Sequence, residues 1–174
     1  MFKIKYGKRP QPAERPRARF AKDKRSYYMY TPPNYQSYLK LLIESFNQYE
    51  KDPSFSELFD KKKIVYGWSV KIIFKLKGKG KNPFYGKRPD IDNLFKAVAD
   101  ALMETEANKI QNGYEVDENG NQYLDHQGLP IPKYKKKIDD SRIVHAELLK
   151  LRVDTEEEEG FTLIIRNVGK DDIE

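Results

Sequence analysis

The chain has 174 residues, with 33 Lys plus Arg against 27 Asp plus Glu, and no cysteine. A chain of this length usually folds as one domain with a full core, and the absence of cysteine excludes disulfides, thiolate zinc sites, iron–sulfur clusters and cysteine nucleophiles. The formal charge of +6 indicates a polyanionic partner, and no apolar run approaches the roughly 20 residues of a membrane span, so we expect a soluble, non-secreted protein without a membrane or small-molecule cofactor.

The first residues predict a strand followed by a basic arm. Phe2, Ile4 and Tyr6 alternate with lysines, which is the period of a strand with one buried face. The arm covers about residues 7–30, where prolines interrupt a run of lysines and arginines, so we expect an extended loop rather than a helix.

A helix and a long strand follow the arm. From Asn34 to about Glu50, apolar side chains recur every three or four residues directly after a Pro-Pro pair, which predicts an amphipathic helix. From Ile64 to Leu76, apolar and polar residues alternate almost without a break, which predicts a long half-buried strand.

A second helix is predicted from about Asn93 to Glu104. Its apolar side chains lie on one side, where they would face the core. Asp92, Lys96 and Asp100 form a polar stripe on the other side, because residues four apart are neighbours on a helix surface. The helix therefore has a core face and a polar working face.

The last third of the chain predicts an excursion and two strands. Residues 106–137 lack helical periodicity, and Asn119-Gly120 among them indicates a small hairpin. Strands are predicted over about Arg142 to Val153 and Phe161 to Asn167. We expect residues 1–174 to form a single α+β domain, with a mainly antiparallel or mixed sheet and two principal helices packed on one face.

Three basic segments stand out: the arm, Lys75 to Arg88, and Lys133 to Lys137. A single run of charge is often only a solvated face, but three together favour a nucleic acid whose phosphates they would bind. The expected DNA-binding residues are Arg15, Arg17, Arg19, Lys22, Lys24, Arg25, Lys79, Lys81, Lys87 and Arg88.

Four aspartates are candidates for chemistry. Asp90 and Asp92 precede the second helix, and Asp139 and Asp140 precede the next strand. If the chain is extended from Asp90 to Asp92, both carboxylates project to one side, and Asp92 also suits the helix N-cap. Carboxylates bind hard cations such as Mg²⁺, and a cation would let acids lie beside phosphate. The pattern predicts metal-assisted phosphodiester hydrolysis, in which Lys96 offsets charge on phosphorus.

A simpler interpretation of the same residues stays open. Asp92 would only cap the helix, Lys96 would pair with Asp92 or Asp100, and Asp139-Asp140 would begin a turn. The chain would then be a non-catalytic basic DNA-binding module, which binds in a salt-dependent way and yields no product.

A third pattern is weaker. Asp125-His126 followed by Pro130 is faintly similar to the His-Asn-His nucleases. The only other histidine, His145, falls on a predicted strand, and no cysteine is present to build an accessory zinc site. We therefore expect His126 to be a loop residue and His145 a sheet residue.

Two segments together resemble a known family. Residues 88–102 read Arg-Pro-Asp-Ile-Asp-Asn-Leu-Phe-Lys-Ala-Val-Ala-Asp-Ala-Leu, and residues 139–144 read Asp-Asp-Ser-Arg-Ile-Val. Their order and residue types closely resemble the RusA family of Holliday junction resolvases. The upstream order of strand, basic arm, helix and strand fits as well, so the resemblance covers most of the chain. Its most specific part is Asp-x-Asp-Asn-Leu-x-Lys-Ala over residues 90–97.

The resemblance implies a homodimeric endodeoxyribonuclease, often encoded by phages and prophages. Such an enzyme makes paired nicks across a four-way DNA junction in recombination and repair, in the cytoplasm of a bacterial or phage-infected cell. It implies Mg²⁺, which Mn²⁺ can replace. By the same resemblance Asp90, Asp92 and Asp140 would bind metal with help from Asp139, and Lys96 would be the catalytic lysine.

The sequence departs from the family between the second helix and Asp139-Asp140. This connection is usually short in the family, whereas here it takes up residues 106–137. The insertion leaves the acids in place. We expect it to cover the cleft, touch DNA or extend the dimer interface.

Overall fold

A computed structural model describes residues 1–20, 27–64 and 66–172, and within them the chain forms eight strands and three helices. The strands are β1 (Phe2–Tyr6), β2 (Arg17–Phe20), β3 (Tyr27–Tyr30), β4 (Trp68–Lys77), β5 (Lys109–Tyr114), β6 (Pro132–Lys136), β7 (Ile143–Val153) and β8 (Gly160–Asn167). The helices are α1 (Pro33–Asn47), α2 (Pro53–Ser56) and α3 (Ile91–Met103). None of these described helices is long and apolar enough to cross a membrane.

The main sheet has four strands in the order β1-β8-β4-β7. β8 runs antiparallel to both β1 and β4, and β7 runs parallel to β4. The parallel pair is joined through α3, since a parallel connection needs a crossover. Two separate ribbons, β2–β3 and β5–β6, complete the strands. The expected α+β fold with a mixed sheet and two principal helices is confirmed.

One face of the sheet carries the core. Along β4 the alternate residues from Trp68 to Leu76 are buried, whereas the lysines between them are half-buried or exposed. α1 buries Tyr38, Leu42 and Phe46 in the same apolar cluster, which α3 joins through an apolar face. Each fully buried large side chain contributes roughly 1.5–3 kcal/mol, so this layer fixes where α3 lies.

The start of β4, the start of α3 and the form of the arm differ from the sequence prediction. β4 begins at Trp68 rather than Ile64, because Gly67 with φ of +129° interrupts the strand and Tyr66 is 41% exposed. α3 begins at Ile91, two residues earlier than expected. The arm is not simply a loop, because β2 and β3 pair as an antiparallel ribbon.

The excursion is built on the β5–β6 ribbon. Isolated bridges join Val116 to Gln122 and Leu124 to Pro130 beyond the ribbon's end. Asp117 accepts the backbone N–H groups of Asn119 and Asn121 in the turn between them. The predicted hairpin around Asn119-Gly120 is therefore confirmed, as the tip of a longer insertion.

The junction between β1 and β8 gives a stability prediction. Gly160 has a φ of +151°, and a Cβ there would overlap the Tyr6 carbonyl. We expect Gly160→Ala to lower the free energy of unfolding by more than about 2 kcal/mol in urea denaturation. Gly86→Ala is the control, because nothing lies near its added methyl group and the change should stay within about 0.5 kcal/mol. Equal effects of both variants would contradict this packing.

Candidate active site

A cleft between the arm, α1, α3 and the base of the β5–β6 ribbon collects charged side chains. From α3 it receives Lys96 and Asp100, and from the turn before β7 it receives Asp139 and Asp140. Lys96, Asp100 and Asp140 also line an adjoining depression. Residues far apart in sequence thus meet at one place. Other residues of the cleft wall include Glu14, Tyr35, Leu39, Glu104 and Lys136.

Asp90 and Asp92 lie at the beginning of α3. Asp90 is the N-cap residue, with extended backbone and no capping hydrogen bond from its side chain, and it follows a cis Arg88–Pro89 bond. Because the helix starts at Ile91, Asp92 lies in its first turn. The expectation that Asp92 caps the helix is therefore wrong, and the segment from Asp90 to Asp92 is not extended throughout.

Asp90 faces a depression next to the cleft rather than the cleft itself. That depression is lined by Arg88, Asp90 and Asn93 with part of the arm, and Ala13 lines both it and the cleft. The Ala13 N–H donates to the Asn93 carbonyl at 2.8 Å, which holds the arm against the start of α3. The arm therefore runs between the two groups of acids.

The carboxylates have the donor chemistry of a site for a hard cation. Across residues 1–20, 27–64 and 66–172, the side chains of Asp90, Asp92 and Asp140 form no hydrogen bond or ion pair, so their oxygens are uncommitted. Oxygen donors of this kind suit Mg²⁺, and the first two lie at the positive end of a helix dipole. In the same described residues, no three acids or histidines gather closely enough to hold one ion. The carboxylate oxygens therefore match Mg²⁺ in chemical type, although no three of them lie close together.

Asp139 has a structural task. It caps the 3₁₀ turn of Asp140–Arg142, accepting the Ser141 N–H at 3.0 Å and the Ser141 hydroxyl. These hydrogen bonds, the hydroxyl first, hold the pKa of Asp139 below its usual value. The simpler interpretation is right about this residue, since Asp139 does begin a turn. That turn presents the neighbouring Asp140 to the cleft.

Lys96 is held by a short relay of polar groups. Its Nζ lies 3.2 Å from an Asp100 oxygen, and the Tyr35 hydroxyl donates to the other oxygen at 3.2 Å. Burial, followed by the charge of Asp100, raises the pKa of Tyr35 far above its usual value, so the hydroxyl keeps its proton. These contacts orient the lysine on the cleft side of α3, through an exposed ion pair that contributes at most about 1 kcal/mol.

Sequence analysis missed Tyr35 as a site residue. It placed Asp100 in the polar stripe but read Tyr35 as one of the apolar positions of α1, and Tyr35 is indeed buried. The available signal was the hydroxyl itself, since a buried tyrosine usually has a hydrogen-bond partner. The signal is weak, because the buried Tyr6 hydroxyl has no partner among the described residues.

Asn108 is the second residue that sequence analysis missed. Its side chain is fully buried and donates to the carbonyls of Met103 at 2.9 Å and Ile138 at 3.0 Å. Its amide oxygen accepts the Ile138 N–H at 3.0 Å. One side chain thus joins the end of α3 to the residue directly before Asp139.

Lys150 holds the basic loop that follows β4. Its ammonium donates to the carbonyls of Lys87 and Pro89 at 2.8 Å each and lies 5.7 Å from the centre of the Tyr85 ring. The loop also pairs with the outer edge of β7, where the Tyr85 N–H donates to the Lys150 carbonyl. Lys150 therefore places the chain that leads into Asp90.

The predicted DNA-binding residues lie on two exposed surfaces. Arg15, Arg17 and Arg19 are exposed on or beside β2, where Arg17 pairs with Glu14 at 2.6 Å. The loop after β4 exposes Lys79, Lys81, Lys87 and Arg88. The remaining three, Lys22, Lys24 and Arg25, lie outside the described residues.

Neither histidine lines the cleft itself, although His145 lines the adjoining depression with Lys96, Asp100 and Asp140. His126 lies in an exposed turn, and His145 on β7 is hydrogen-bonded through Nδ1 to the Ser69 hydroxyl at 2.9 Å. The expectation of a loop histidine and a sheet histidine is confirmed.

The Asn108 contacts lead to a testable prediction. Asn108→Ala leaves the Ile138 N–H and two buried carbonyls without their partner, so we expect a loss of about 2–4 kcal/mol in the free energy of unfolding. Asn112→Ala, on an exposed part of β5, is the matched control and should change it by less than about 0.5 kcal/mol. Urea denaturation measures both, and a loss below 1 kcal/mol for Asn108→Ala would contradict the assigned role.

Comparison with known proteins identifies the family. A family model described as Endodeoxyribonuclease RusA matches residues 9–112, more than half of the chain. The match includes Asp90, Asp92 and Lys96 and ends before Asp139 and Asp140. No curated protein matches the chain. The chain belongs to the RusA family of endodeoxyribonucleases, which resolve Holliday junctions.

Proposed function

We propose that the chain cuts four-way DNA junctions by metal-dependent hydrolysis at the cleft described above. The observation that carries this proposal is that Lys96 and Asp140, from distant parts of the sequence, line the same cleft. The family match covers the first of these residues, and the cleft geometry brings in the second.

In this proposal Asp90, Asp92 and Asp140 would hold Mg²⁺ or Mn²⁺, with Asp139 shaping the turn beside Asp140. Because no three of the described acids gather at one point, the bound ion would have to draw the two groups together. Their carboxylates are uncommitted among the described residues, which suits oxygen ligands of a hard cation. A bound ion of this kind lowers the pKa of an attacking water and stabilises negative charge on the phosphate.

The chain's own residues then serve the hydrolysis. Water adds to phosphorus and the bond to one backbone oxygen breaks, so one product ends in phosphate and the other in hydroxyl. Lys96 offsets the negative charge that grows on the phosphate, an effect that is strong when the donor is already in place. Asp100 and Tyr35 act through Lys96, because they hold its ammonium at the cleft.

The basic surfaces would hold the junction arms. The β2–β3 ribbon and the loop after β4 expose arginines and lysines, which would bind backbone phosphates and set the position of the DNA without reading its sequence. Of the candidate acids, Asp139 and Asp140 line the cleft and Asp90 lines the depression beside it. A bound cation would therefore be needed at this place for a phosphate to approach.

We also infer that the active form is a homodimer. Paired nicks need two cutting sites at the junction, and each chain offers one cleft with one Lys96. A two-fold symmetric dimer would place two equal clefts across a junction, which is the commonest symmetry for such an assembly. Such an enzyme would act on DNA in the cytoplasm of a bacterial or phage-infected cell.

Cleavage of a synthetic four-way junction tests the proposal. With Mg²⁺ we expect paired nicks in the junction and none in linear duplex of the same sequence. Asp92→Asn and Lys96→Ala should each lower the cleavage rate by at least roughly 100-fold, as the loss of a positioned transition-state group does. Junction binding in Ca²⁺ should persist in both variants.

Glu44→Gln is the matched control for that experiment. Glu44 is an exposed acid on α1, 4.0 Å from Lys40, and its loss should leave cleavage unchanged. Junction binding without metal-dependent cutting by the wild type would contradict the proposal and support the non-catalytic DNA-binding module instead. Equal cutting of linear duplex would contradict its selectivity for junctions.

A further inference from the structure

The inserted β5–β6 ribbon forms one wall of the cleft. Its strand β6 ends at Lys136, two residues before Ile138, and Lys136 lines the cleft with Lys96 and Asp140. We propose that the face of the ribbon that carries Lys136 and Tyr134 binds the DNA strand beside the cut, with Lys136 on a backbone phosphate. This inference rests on the proposed function and extends it to β6, which lies beyond the family match.

The two faces of the ribbon differ in their access to the cleft. Side chains alternate along a strand, so Tyr134 and Lys136 share one face and Lys135 belongs to the other. Lys135 and its cross-strand partner Ile110 line a separate cavity with Phe59, and Lys136 also borders that cavity. Of these ribbon residues only Lys136 lines the cleft as well. Tyr134 is 54% exposed, so its ring is available on the Lys136 face. Only one face is directed to the candidate active site.

The base of the ribbon is fixed relative to that site. The Lys137 N–H donates to the Asn108 carbonyl at 2.7 Å, and the Lys137 ammonium donates to the Ala107 carbonyl at 2.8 Å. The buried amide of Asn108 holds Ile138 on the other side. Lys136 is therefore attached to a rigid base next to Asp139, as a group that positions substrate must be.

The present partner of Lys136 is one that phosphate can replace. Its Nζ lies 2.6 Å from a Glu104 oxygen, and the two side chains are 46% and 44% exposed. An exposed ion pair of this kind contributes at most about 1 kcal/mol. A phosphate that enters the cleft would replace Glu104 as the partner of the Lys136 ammonium at little cost in free energy. Until then, Glu104 keeps the ammonium at the cleft.

The positive charge of this face indicates which class of partner it binds. Residues 133–137 contain four lysines, whereas lysine is depleted in the centre of protein–protein interfaces. A tyrosine between lysines suits a nucleic acid, since cations bind phosphates and an aromatic ring stacks on bases. β5 has six residues and reaches roughly 20 Å, about six nucleotides of a strand. The ribbon is long enough to follow DNA away from the cut.

Junction binding by Lys136→Ala tests the inference against Lys135→Ala, a variant of the same charge change on the opposite face. Binding is measured in Ca²⁺ at several salt concentrations. We expect Lys136→Ala to bind roughly threefold to tenfold more weakly, with a log–log salt slope shallower by about 0.9, the contribution of one phosphate. Lys135→Ala should bind nearly as the wild type does. Equal losses in the two variants would overturn the inference, because they would reflect net charge alone.

A shortened ribbon separates DNA binding from dimer formation. Asn-Gly in place of residues 112–133 would join Gln111 to Tyr134, which already face each other, through a two-residue turn. We expect this variant to keep the oligomeric state of the wild type and to retain the Lys136 effect. A change to monomers would overturn the inference and make the ribbon a subunit interface. Wild-type protein that neither binds nor cuts junctions would instead refute the proposed function.

Discussion

The buried side chain of Asn108 is the constraint on which the candidate site depends. α3 carries Asp92, Lys96 and Asp100, whereas Asp140 comes from a turn beyond a long insertion. Without a fixed connection, the insertion would let the two groups drift apart. The Asn108 amide bonds the end of α3 and the residue before Asp139 at the same time, within the core. Because an unpaired buried polar group is costly, these bonds lock the two halves together.

The rest of the site is arranged by charge. Acids line the cleft and the depression beside it, and exposed lysines and arginines occupy the surfaces around them. Lys96 from α3 and Lys136 from β6 both line the cleft, and Asp100 and Tyr35 orient Lys96 there. This charge distribution suits a polyanion. The surrounding lysines and arginines would bind its backbone, and Lys96 would approach one phosphate. Lys150 on β7 holds the basic loop that leads into Asp90, through hydrogen bonds to the Lys87 and Pro89 carbonyls.

Periodicity was enough to predict most of the fold. The alternation along β4 and the spacing of apolar residues in α1 and α3 depend on burial, which one sequence displays directly. Boundaries were less predictable where a single residue decides them. Gly67 delays the start of β4, and the early start of α3 moves the N-cap from Asp92 to Asp90. The pairing of the arm into a ribbon depends on contacts between strands that have no periodic signature of their own.

The residue types of the site could be predicted from the sequence, whereas the hydrogen bonds that hold them could not. The aspartates and Lys96 are visible in sequence because they share a motif, and the structure brings Lys96 and Asp140 to one cleft. Asn108 and Tyr35 act through hydrogen bonds between segments that are distant in the chain, so no spacing reveals them. The parallel pairing of β4 with β7 is what brings Asp140 back to α3, and this topology cannot be read from local patterns.

The central claim is that acids from the two separated segments serve one metal site. Isothermal titration of Mn²⁺ into wild-type protein, Asp90→Asn and Asp140→Asn tests it without requiring catalysis. The account predicts that the wild type binds Mn²⁺ and that each substitution weakens the same binding event by at least tenfold. Unchanged Mn²⁺ binding by Asp140→Asn, with loss in Asp90→Asn, would contradict it and would leave the cleft around Lys96 without a shared metal.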